Sequence, residues 1–331
     1  MNQDQERKWT IKNKKIAPFL REKIYKYLES IDPLFEKAKS VSEFEFILSI
    51  LGTKGVQDAG WNPWEEILGI FHFLSKLTNK FRYFEEIIYL MLWMYGLAIE
   101  ANFPYELIAN LINISKGKRY NINPFNNLIR KKRIIYPHQK IKTLIQMAKE
   151  INMEKSIYPF QDVFDKDLRN AIFHSDFTIY KGEVRVSIKN DFKKVYTKDE
   201  MTERINKVSA FLTTFENIIL YYNQSYETPK MIRVHPNFSY GESEKAITLI
   251  RKGYGLIGLK DNWTTKDIQN GKIPWHVGLF RSYEKDILMN NHEIVVFPKD
   301  RLKKVEIILK FFPYIIKREV FNLLKKYYPF E

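Results

Sequence analysis

The stretch LRNAIFHSDF, residues 168–177, sets three polar side chains, Arg169, Asn170 and His174, into an otherwise apolar helical pattern. Asn170 and His174 are four residues apart and share one helix face, whereas Arg169 precedes His174 by five residues and lies about 140° around the helix from it. A flexible guanidinium, a helix that ends at His174, or a second copy of the helix from a partner subunit can bring the arginine and the histidine together. A symmetric homodimer is the simplest of these solutions.

Directly after this segment the sequence predicts a β-hairpin and then a long helix. Phe177–Tyr180 and Glu183–Ile188 alternate as strands do, and Lys181-Gly182 between them is typical of a tight turn. Thr197 and Glu200 have the spacing of a capping box, after which apolar residues recur every three or four positions. That recurrence predicts an amphipathic helix.

Most of the chain before the motif has helical periodicity. Apolar spacing predicts an amphipathic helix from Pro18 to about Ser30, which we expect to end at Asp32-Pro33 because proline breaks a helix interior. Further helices are predicted over Trp64–Leu77, Phe81–Ala101, Pro104–Ile114 and Asp162–His174. The fold class is therefore expected to be mainly α, with a helical bundle around the motif.

Composition and terminal sequence limit the classes of protein that remain. The chain has no cysteine, which excludes disulfides, thiolate zinc sites and cysteine nucleophiles. The longest apolar run, Ile87–Ile99, covers 13 residues, whereas a membrane-spanning helix needs about 20; we expect a buried core helix and no membrane association. The polar N-terminus lacks the apolar segment of a secretory signal peptide, so the expected location is cytoplasmic.

Length and turn-forming segments predict more than one folding unit. At 331 residues the chain exceeds the size at which a single core usually stops growing. Glycine and proline concentrate in Gly52–Pro63, and a polar run occupies Tyr226–Pro229. The predicted organisation is an N-terminal helical segment at 1–60, a helical domain at 61–227 and a C-terminal α+β module of unknown role at 228–331.

Within the C-terminal module the sequence predicts a helix over Glu242–Arg251, a strand over Glu293–Phe297 and further helices from Arg301 onwards. A G-x-G-x-x-G pattern occupies residues 253–258. Such a pattern indicates a dinucleotide site only between a strand and a helix. Because a helix is predicted before it, these residues are interpreted as turn glycines.

The formal net charge of +15 makes a polyanion the first partner to consider. Between Leu107 and Lys149 there is no acidic residue but ten basic ones, interleaved with aromatic and amide residues that include Tyr136 and His138. Such a composition is typical of a surface that binds phosphates and stacks bases, although a solvated basic face remains the alternative. The predicted RNA-binding residues are Lys118, Arg119, Arg130, Lys131, Lys132 and Arg133.

The segment from Arg169 to His174 resembles the R-N-x-x-x-H signature of HEPN domains, a helical family in which many members are ribonucleases. The helices upstream, the Ser-Asp-aromatic sequence after His174 and the following hairpin and helix fit the same family, and the resemblance covers roughly residues 61–222. It implies a HEPN-like helical bundle that acts as a homodimer in a bacterial defence or toxin-like system. One departure is Asp176, which stands where some toxin subfamilies carry a regulatory tyrosine.

By this resemblance Arg169, Asn170 and His174 take the catalytic positions of an endoribonuclease that uses the 2′-OH of RNA as the nucleophile and needs no metal or cofactor. A histidine, with an ordinary pKa of about 6.5, exchanges protons at neutral pH, while an arginine stays cationic. The resemblance also implies a neutralising or activating partner protein. The alternative is a non-catalytic RNA-binding or adaptor protein; an open His174 favours the enzyme and a sealed one the alternative.

Overall fold

A computed structural model describes residues 9, 17–52, 63–78, 80–128, 135–188, 191–234, 245–251, 255–262 and 276–278. The described residues form two compact units. The first draws on Met1–Ser42 and Glu65–Ile219, and the second on Glu43–Trp64 and Leu220–Glu331. This division differs from the predicted one, because the first helix of the chain groups with the central domain instead of with a separate segment at 1–60.

The structure is mainly helical, as predicted, with two small antiparallel sheets. The helices are α1 Pro18–Val41, α2 Glu43–Gly52, α3 Pro63–Thr78, α4 Phe84–Glu100, α5 Asn102–Ser115, α6 Pro137–Lys149, α7 Tyr158–Val163, α8 Lys166–His174 and α9 Lys198–Gln224. The strands are β1 Phe177–Tyr180, β2 Glu183–Ile188, β3 Asp191–Tyr196, β4 Met231–Arg233, β5 Lys245–Arg251, β6 Gly255–Asp261 and β7 His276–Gly278. Short 3-10 turns occupy Asn126–Leu128 and Glu154–Ile157.

Aromatic side chains from three helices meet in the core of the first unit. The ring of Phe160 on α7 lies 5.0 Å from that of Tyr105 on α5 and 5.1 Å and 5.7 Å from those of Phe211 and Phe215 on α9. All four side chains are buried. Edge-on aromatic contacts of this kind add to the free energy gained by burying the rings, so this cluster ties α5, α7 and α9 together.

The prediction that the first helix ends at Asp32-Pro33 is wrong, because α1 continues through Pro33 to Val41. A proline inside a helix costs about 3 kcal/mol. Burial of one large apolar side chain recovers about 1.5–3 kcal/mol, and the residues beyond the proline include Leu34 and Phe35, both fully buried. Tertiary burial therefore outweighs the local signal of the proline.

The predicted hairpin is confirmed, and a third strand joins it. Lys181 and Gly182 have φ of 51° and 77°, the pair of positive values that a tight type I′ turn requires. Antiparallel pairing continues from β2 to β3, giving the order β1-β2-β3. On the inner face Val184 pairs with Tyr196, and both are buried.

The capping box at the start of α9 is also confirmed. The backbone N–H of Thr197 donates to Glu200 Oε2 at 2.8 Å, and the backbone N–H of Glu200 donates to Thr197 Oγ1 at 3.3 Å. Reciprocal bonds of this kind satisfy the free N–H groups of a helix N-terminus. The local sequence alone thus sets where α9 begins.

Among the described residues, Phe84–Ser115 is the one stretch with the length and apolar composition of a membrane span, and 56% of its most apolar window is buried inside the protein. The stretch comprises α4, with 17 residues, and α5, with 14, separated at Ala101, which has ψ of 119°. Neither helix alone reaches about 20 residues. The apolar run is only partly covered, however, because Tyr89 and Trp93 are exposed.

The second unit contains α2 and a four-stranded antiparallel sheet of order β4-β5-β6-β7. The predicted helix at Glu242–Arg251 is wrong, because Lys245–Arg251 forms strand β5. Its β-branched residues favour a strand, and pairing with β4 and β6 satisfies its backbone. Gly255 and Gly258 of the G-x-G-x-x-G pattern lie within strand β6. They therefore do not stand at the start of a helix, as a dinucleotide site would require. The segments predicted at Glu293–Phe297 and from Arg301 onwards lie outside the described residues.

Candidate active site

Asp165 fixes the start of the motif helix α8. Its Oδ1 accepts from the backbone N–H groups of Asp167 and Leu168 at 3.1 and 3.2 Å, which is an N-cap. Its Oδ2 accepts from the hydroxyl of Tyr196 at 2.9 Å and lies 3.1 Å from Arg204 Nη2 and 3.2 Å from Lys194 Nζ. The carboxylate therefore joins α8 to β3 and α9.

The pKa of Asp165 reflects this environment. Burial, the largest effect, raises it, but hydrogen bonds from the Leu168 backbone and Tyr196, with the charges of Arg204 and Lys194, outweigh burial and hold the pKa below its ordinary value. The carboxylate thus stays ionised at neutral pH. Asp165 is not among the site residues predicted from the sequence, although an aspartate directly before a helical pattern is a recognisable N-cap signal.

The other end of α8 is equally fixed, and it carries His174. Ser175 takes a left-handed conformation with φ of 57°, and the backbone N–H of Asp176 donates to Ala171 O at 2.9 Å. Both features are typical of a terminated helix. The helix therefore ends at His174, as one of the three predicted alternatives requires, but this end does not by itself bring His174 into hydrogen bonding with Arg169. The His174 side chain is exposed to solvent.

Arg169, by contrast, is buried. Its Nε and Nη2 both lie 2.5 Å from Glu100 Oε1 at the end of α4, and its Nη1 donates to Asn170 Oδ1 at 3.1 Å. The structure thus brings Arg169 and Asn170 together. Within the part of the chain that the structure describes, neither of them shares a hydrogen bond with His174.

Two aromatic rings flank the Arg169 guanidinium. Its Cζ lies 5.1 Å from the ring centroid of Tyr136 and 5.0 Å from that of Phe173, close enough for cation–π attraction. Phe173 rests on α4 at Gly96, where a Cβ would lie 3.3 Å from Phe173 Cζ. The missing side chain of Gly96 thus lets α8 approach α4 closely, which sets the distance between Arg169 and Glu100.

The first residues of α6 lie beside this arginine. The Tyr136 and His138 rings are nearly parallel, 10° apart, with centroids separated by 6.1 Å. Burial, followed by the positive charges of Lys166 and Arg169, lowers the pKa of His138. The imidazole is therefore mainly neutral at neutral pH.

Tyr136 and His138 belong to the acid-free stretch, and nothing in the sequence connects them with the motif. The sequence has one other arginine in this region that precedes a histidine by five residues, Arg133 before His138. Pro137 lies between them, and a proline is incompatible with a continuous motif helix. Pro137 instead occupies the first turn of α6, where proline is favoured. Only the packing of α6 against the rest of the unit reveals His138 as a neighbour of the site.

The acid-free stretch is not one uniform basic surface. Lys140 is buried, donates to Asn102 Oδ1 and lies 5.4 Å from the Tyr105 ring centroid. Lys116 Nζ lies 2.5 Å from Glu150 Oε2. These two charges therefore have partners within the fold.

The predicted RNA-binding residues have different outcomes. Lys118 and Arg119 are exposed, as a phosphate contact requires. Arg130, Lys131, Lys132 and Arg133 lie outside the described residues. Of the amides in this stretch, Asn110 is structural, because its side chain bonds both the backbone N–H and the C=O of Asn121.

Comparison with protein-family models, curated proteins and solved structures found no match. The resemblance to HEPN domains therefore depends on the motif and its sequence context alone. Across the described ranges, no group of three or more histidine, aspartate or glutamate side chains is arranged to hold a metal ion. The candidate active site is accordingly the motif helix with Glu100, Tyr136 and His138 around it.

Proposed function

We propose that this protein is a metal-independent endoribonuclease that cleaves RNA by 2′-OH attack at a composite site formed by a homodimer. The observation that carries the proposal is the contrast along α8. His174 is exposed at a fixed helix end, while Arg169, within the same helix, is buried and donates to the half-buried Asn170. A structural polar network has no need of an exposed histidine, whereas proton transfer with a substrate requires one.

The chemistry needs only these groups. A base takes the proton of the 2′-OH, the 2′-oxygen attacks the adjacent phosphorus, and an acid protonates the departing 5′-oxygen, leaving a 2′,3′-cyclic phosphate and a 5′-OH. Two His174 imidazoles from two chains would divide the base and acid roles. Of the five N–H donors of Arg169, at most three are directed at Glu100 and Asn170. The others remain for a phosphate oxygen.

The exposed face of α4 supports a dimer at this site. Tyr89, Trp93, Gly96 and Glu100 recur at helical spacing and share one face. Gly96 and Glu100 contact Phe173 and Arg169 of α8, whereas the Trp93 and Tyr89 side chains are 60% and 51% exposed. A second copy packed on these two rings would bury them and bring two motif helices into one site.

The direct test is cleavage of RNA by the full-length protein in EDTA. We expect products with 2′,3′-cyclic phosphate ends, and His174→Ala should lower the rate by about 10²–10⁴-fold. His72→Ala is the matched control, because His72 is an exposed histidine on α3. Unchanged cleavage by a folded His174→Ala variant, or an absolute metal requirement, would show that the assignment is wrong.

A non-catalytic RNA-binding or adaptor protein is the second candidate, and one observation favours it. Glu100 neutralises the buried guanidinium of Arg169, which an arginine with a purely structural role would also show. RNA binding without cleavage under every condition of the test above would decide for this candidate.

We propose for either candidate that the protein is cytoplasmic and does not associate with a membrane. A defence or toxin-like role, with a neutralising or activating partner protein, follows only from the family resemblance.

A further inference from the structure

Two aromatic side chains with solvent-exposed surface flank the guanidinium of Arg169, and a third lies beside one of them. Tyr136 and Phe173 are 44% and 45% exposed, although their ring centroids lie 5.1 Å and 5.0 Å from Arg169 Cζ. His138, next to Tyr136, is exposed as well. By contrast, the core rings of the same unit, such as Phe160 and Phe211, are fully buried. Packing alone therefore does not account for these three rings.

Unpaired RNA bases bind to proteins mainly by stacking on aromatic rings and on arginine planes. We propose that Tyr136, His138 and Phe173 form a stacking subsite for an unpaired base of single-stranded RNA, beside the phosphate that Arg169 holds. The proposal depends on the proposed ribonuclease function and makes its substrate class specific. Double-stranded RNA, whose bases are already stacked and paired, would not use this subsite.

The subsite is preorganised, which lowers the entropic cost of binding. Tyr136 caps α6, where its backbone N–H donates to Gln139 Oε1 at 3.0 Å and Pro137 follows in the first turn. Phe173 is supported by Gly96. The guanidinium between the two rings is held by Glu100 and Asn170.

The electrostatics also suit a nucleotide. A base and its own phosphate are one sugar apart, and here the Tyr136 ring, 44% exposed, lies about 5 Å from a fixed positive charge. The neutral imidazole of His138 offers one donor and one acceptor for a base edge. Because the rings carry no charge, they would contribute to binding in a manner that salt does not screen.

The test uses full-length protein carrying His174→Ala, so that RNA is bound but not consumed. The probe is a single-stranded RNA hexamer containing 2-aminopurine, whose fluorescence is quenched on stacking, with a blunt RNA duplex for comparison. Adding Tyr136→Ala should weaken hexamer binding by about 5- to 150-fold, which corresponds to about 1–3 kcal/mol per stacked base, and should relieve the quenching. Duplex binding should stay the same.

Matched variants separate stacking from folding. Tyr136→Phe keeps the ring and should retain affinity, while Tyr136→Leu and Phe173→Leu keep apolar volume without a ring and should lose it. Tyr180→Ala is the control, because Tyr180 lies on a different element, β1, yet has similar surroundings. Its side chain is 49% exposed, and Arg185 Cζ lies 4.4 Å from its ring centroid. Its affinity should change by less than about twofold.

Equal quenching and affinity in Tyr136→Ala, Tyr136→Leu and the parent would overturn the subsite. If wild-type protein cleaves RNA but these variants bind normally, the stacking proposal alone fails. If the variants lose binding but wild-type protein never cleaves, the ribonuclease proposal fails and the stacking subsite stands as part of an RNA-binding protein.

Discussion

Replacing Glu100 by glutamine tests the central contact of the site. The substitution keeps an acceptor oxygen near Arg169 but removes the negative charge 2.5 Å from its guanidinium. The side chains of Arg169 and Glu100 are 10% and 32% exposed, so the arginine would be left largely buried with a neutral partner.

The expected cost follows from that burial. Breaking a fully buried ion pair costs about 3–5 kcal/mol, and partial solvent exposure of Glu100 reduces this to about 2 kcal/mol. For a unit of this size, each kcal/mol lowers the melting temperature by about 2–4 °C. Glu100→Gln should therefore lower it by about 4–8 °C, measured by circular dichroism.

The affinity for RNA should increase in the same Glu100→Gln variant, although its thermal stability decreases. Without the carboxylate, more of the Arg169 N–H donors can bind a phosphate, and one repulsive charge is removed from the site. The binding free energy of a single-stranded RNA hexamer should become more favourable by about 1 kcal/mol or more, which corresponds to at least about fivefold tighter binding. The affinity is measured by fluorescence anisotropy in protein that also carries His174→Ala. A variant that is less stable yet binds RNA more tightly is the specific signature.

Glu150→Gln is the matched control for stability. Glu150 Oε2 also lies 2.5 Å from a cation, Lys116 Nζ, but its side chain is 63% exposed, so its loss should leave the melting temperature unchanged within error. Combining Glu100→Leu with Arg169→Leu should destabilise less than the two single changes added together, because no buried charge remains unpaired. An unchanged melting temperature in Glu100→Gln would refute the buried ion pair and the reasoning built on it.

Two further predictions concern the anchor of α8 and the dimer. The depressed pKa of Asp165 contributes stability that is present above the unfolded-state pKa of about 3.9 and is lost as the pH falls through the lower folded-state value. Asp165→Asn, which keeps the N-cap, should therefore lower the melting temperature at pH 6–7, and the difference from wild type should shrink as the pH falls below about 4; a difference constant with pH would contradict this. For the dimer, Trp93→Asp should shift sedimentation towards the monomer and abolish cleavage, while Tyr83→Asp, at a side chain that is 69% exposed just before α4, should do neither. A monomeric wild type that cleaves RNA at assay concentrations would rule out the composite site.

Much of the fold could be predicted because its signals are local. The periodicity of α3, α4 and α5, the capping box of Thr197 and Glu200, and the Lys181-Gly182 turn each depend on residues within a few positions of one another. Helix and strand periods, caps and tight turns require nothing from the rest of the chain. The end of the motif helix belongs to the same class, since Ser175 and Asp176 set it locally.

Predictions failed where burial competes with local preference. A proline predicted the end of α1, but the burial of Leu34 and Phe35 carries the helix through it. Lys245–Arg251 was predicted as a helix, yet two neighbouring strands provide its backbone hydrogen bonds. A short apolar segment is compatible with either state, and the partner it packs against decides between them.

The candidate site also has features that depend on local sequence and features that depend on tertiary packing. The sequence by itself placed Arg169, Asn170 and His174 on one helix, predicted over Asp162–His174, with the arginine and the histidine on different sides of it. In the structure this helix begins only at Lys166, after the N-cap of Asp165. Only the tertiary structure decided that Arg169 is buried against Glu100, 69 residues away, and that Tyr136 lies against its guanidinium. Helix geometry follows from spacing along the chain, whereas contacts between distant residues depend on how α4, α6 and α8 pack, and sequence spacing carries no information about that packing.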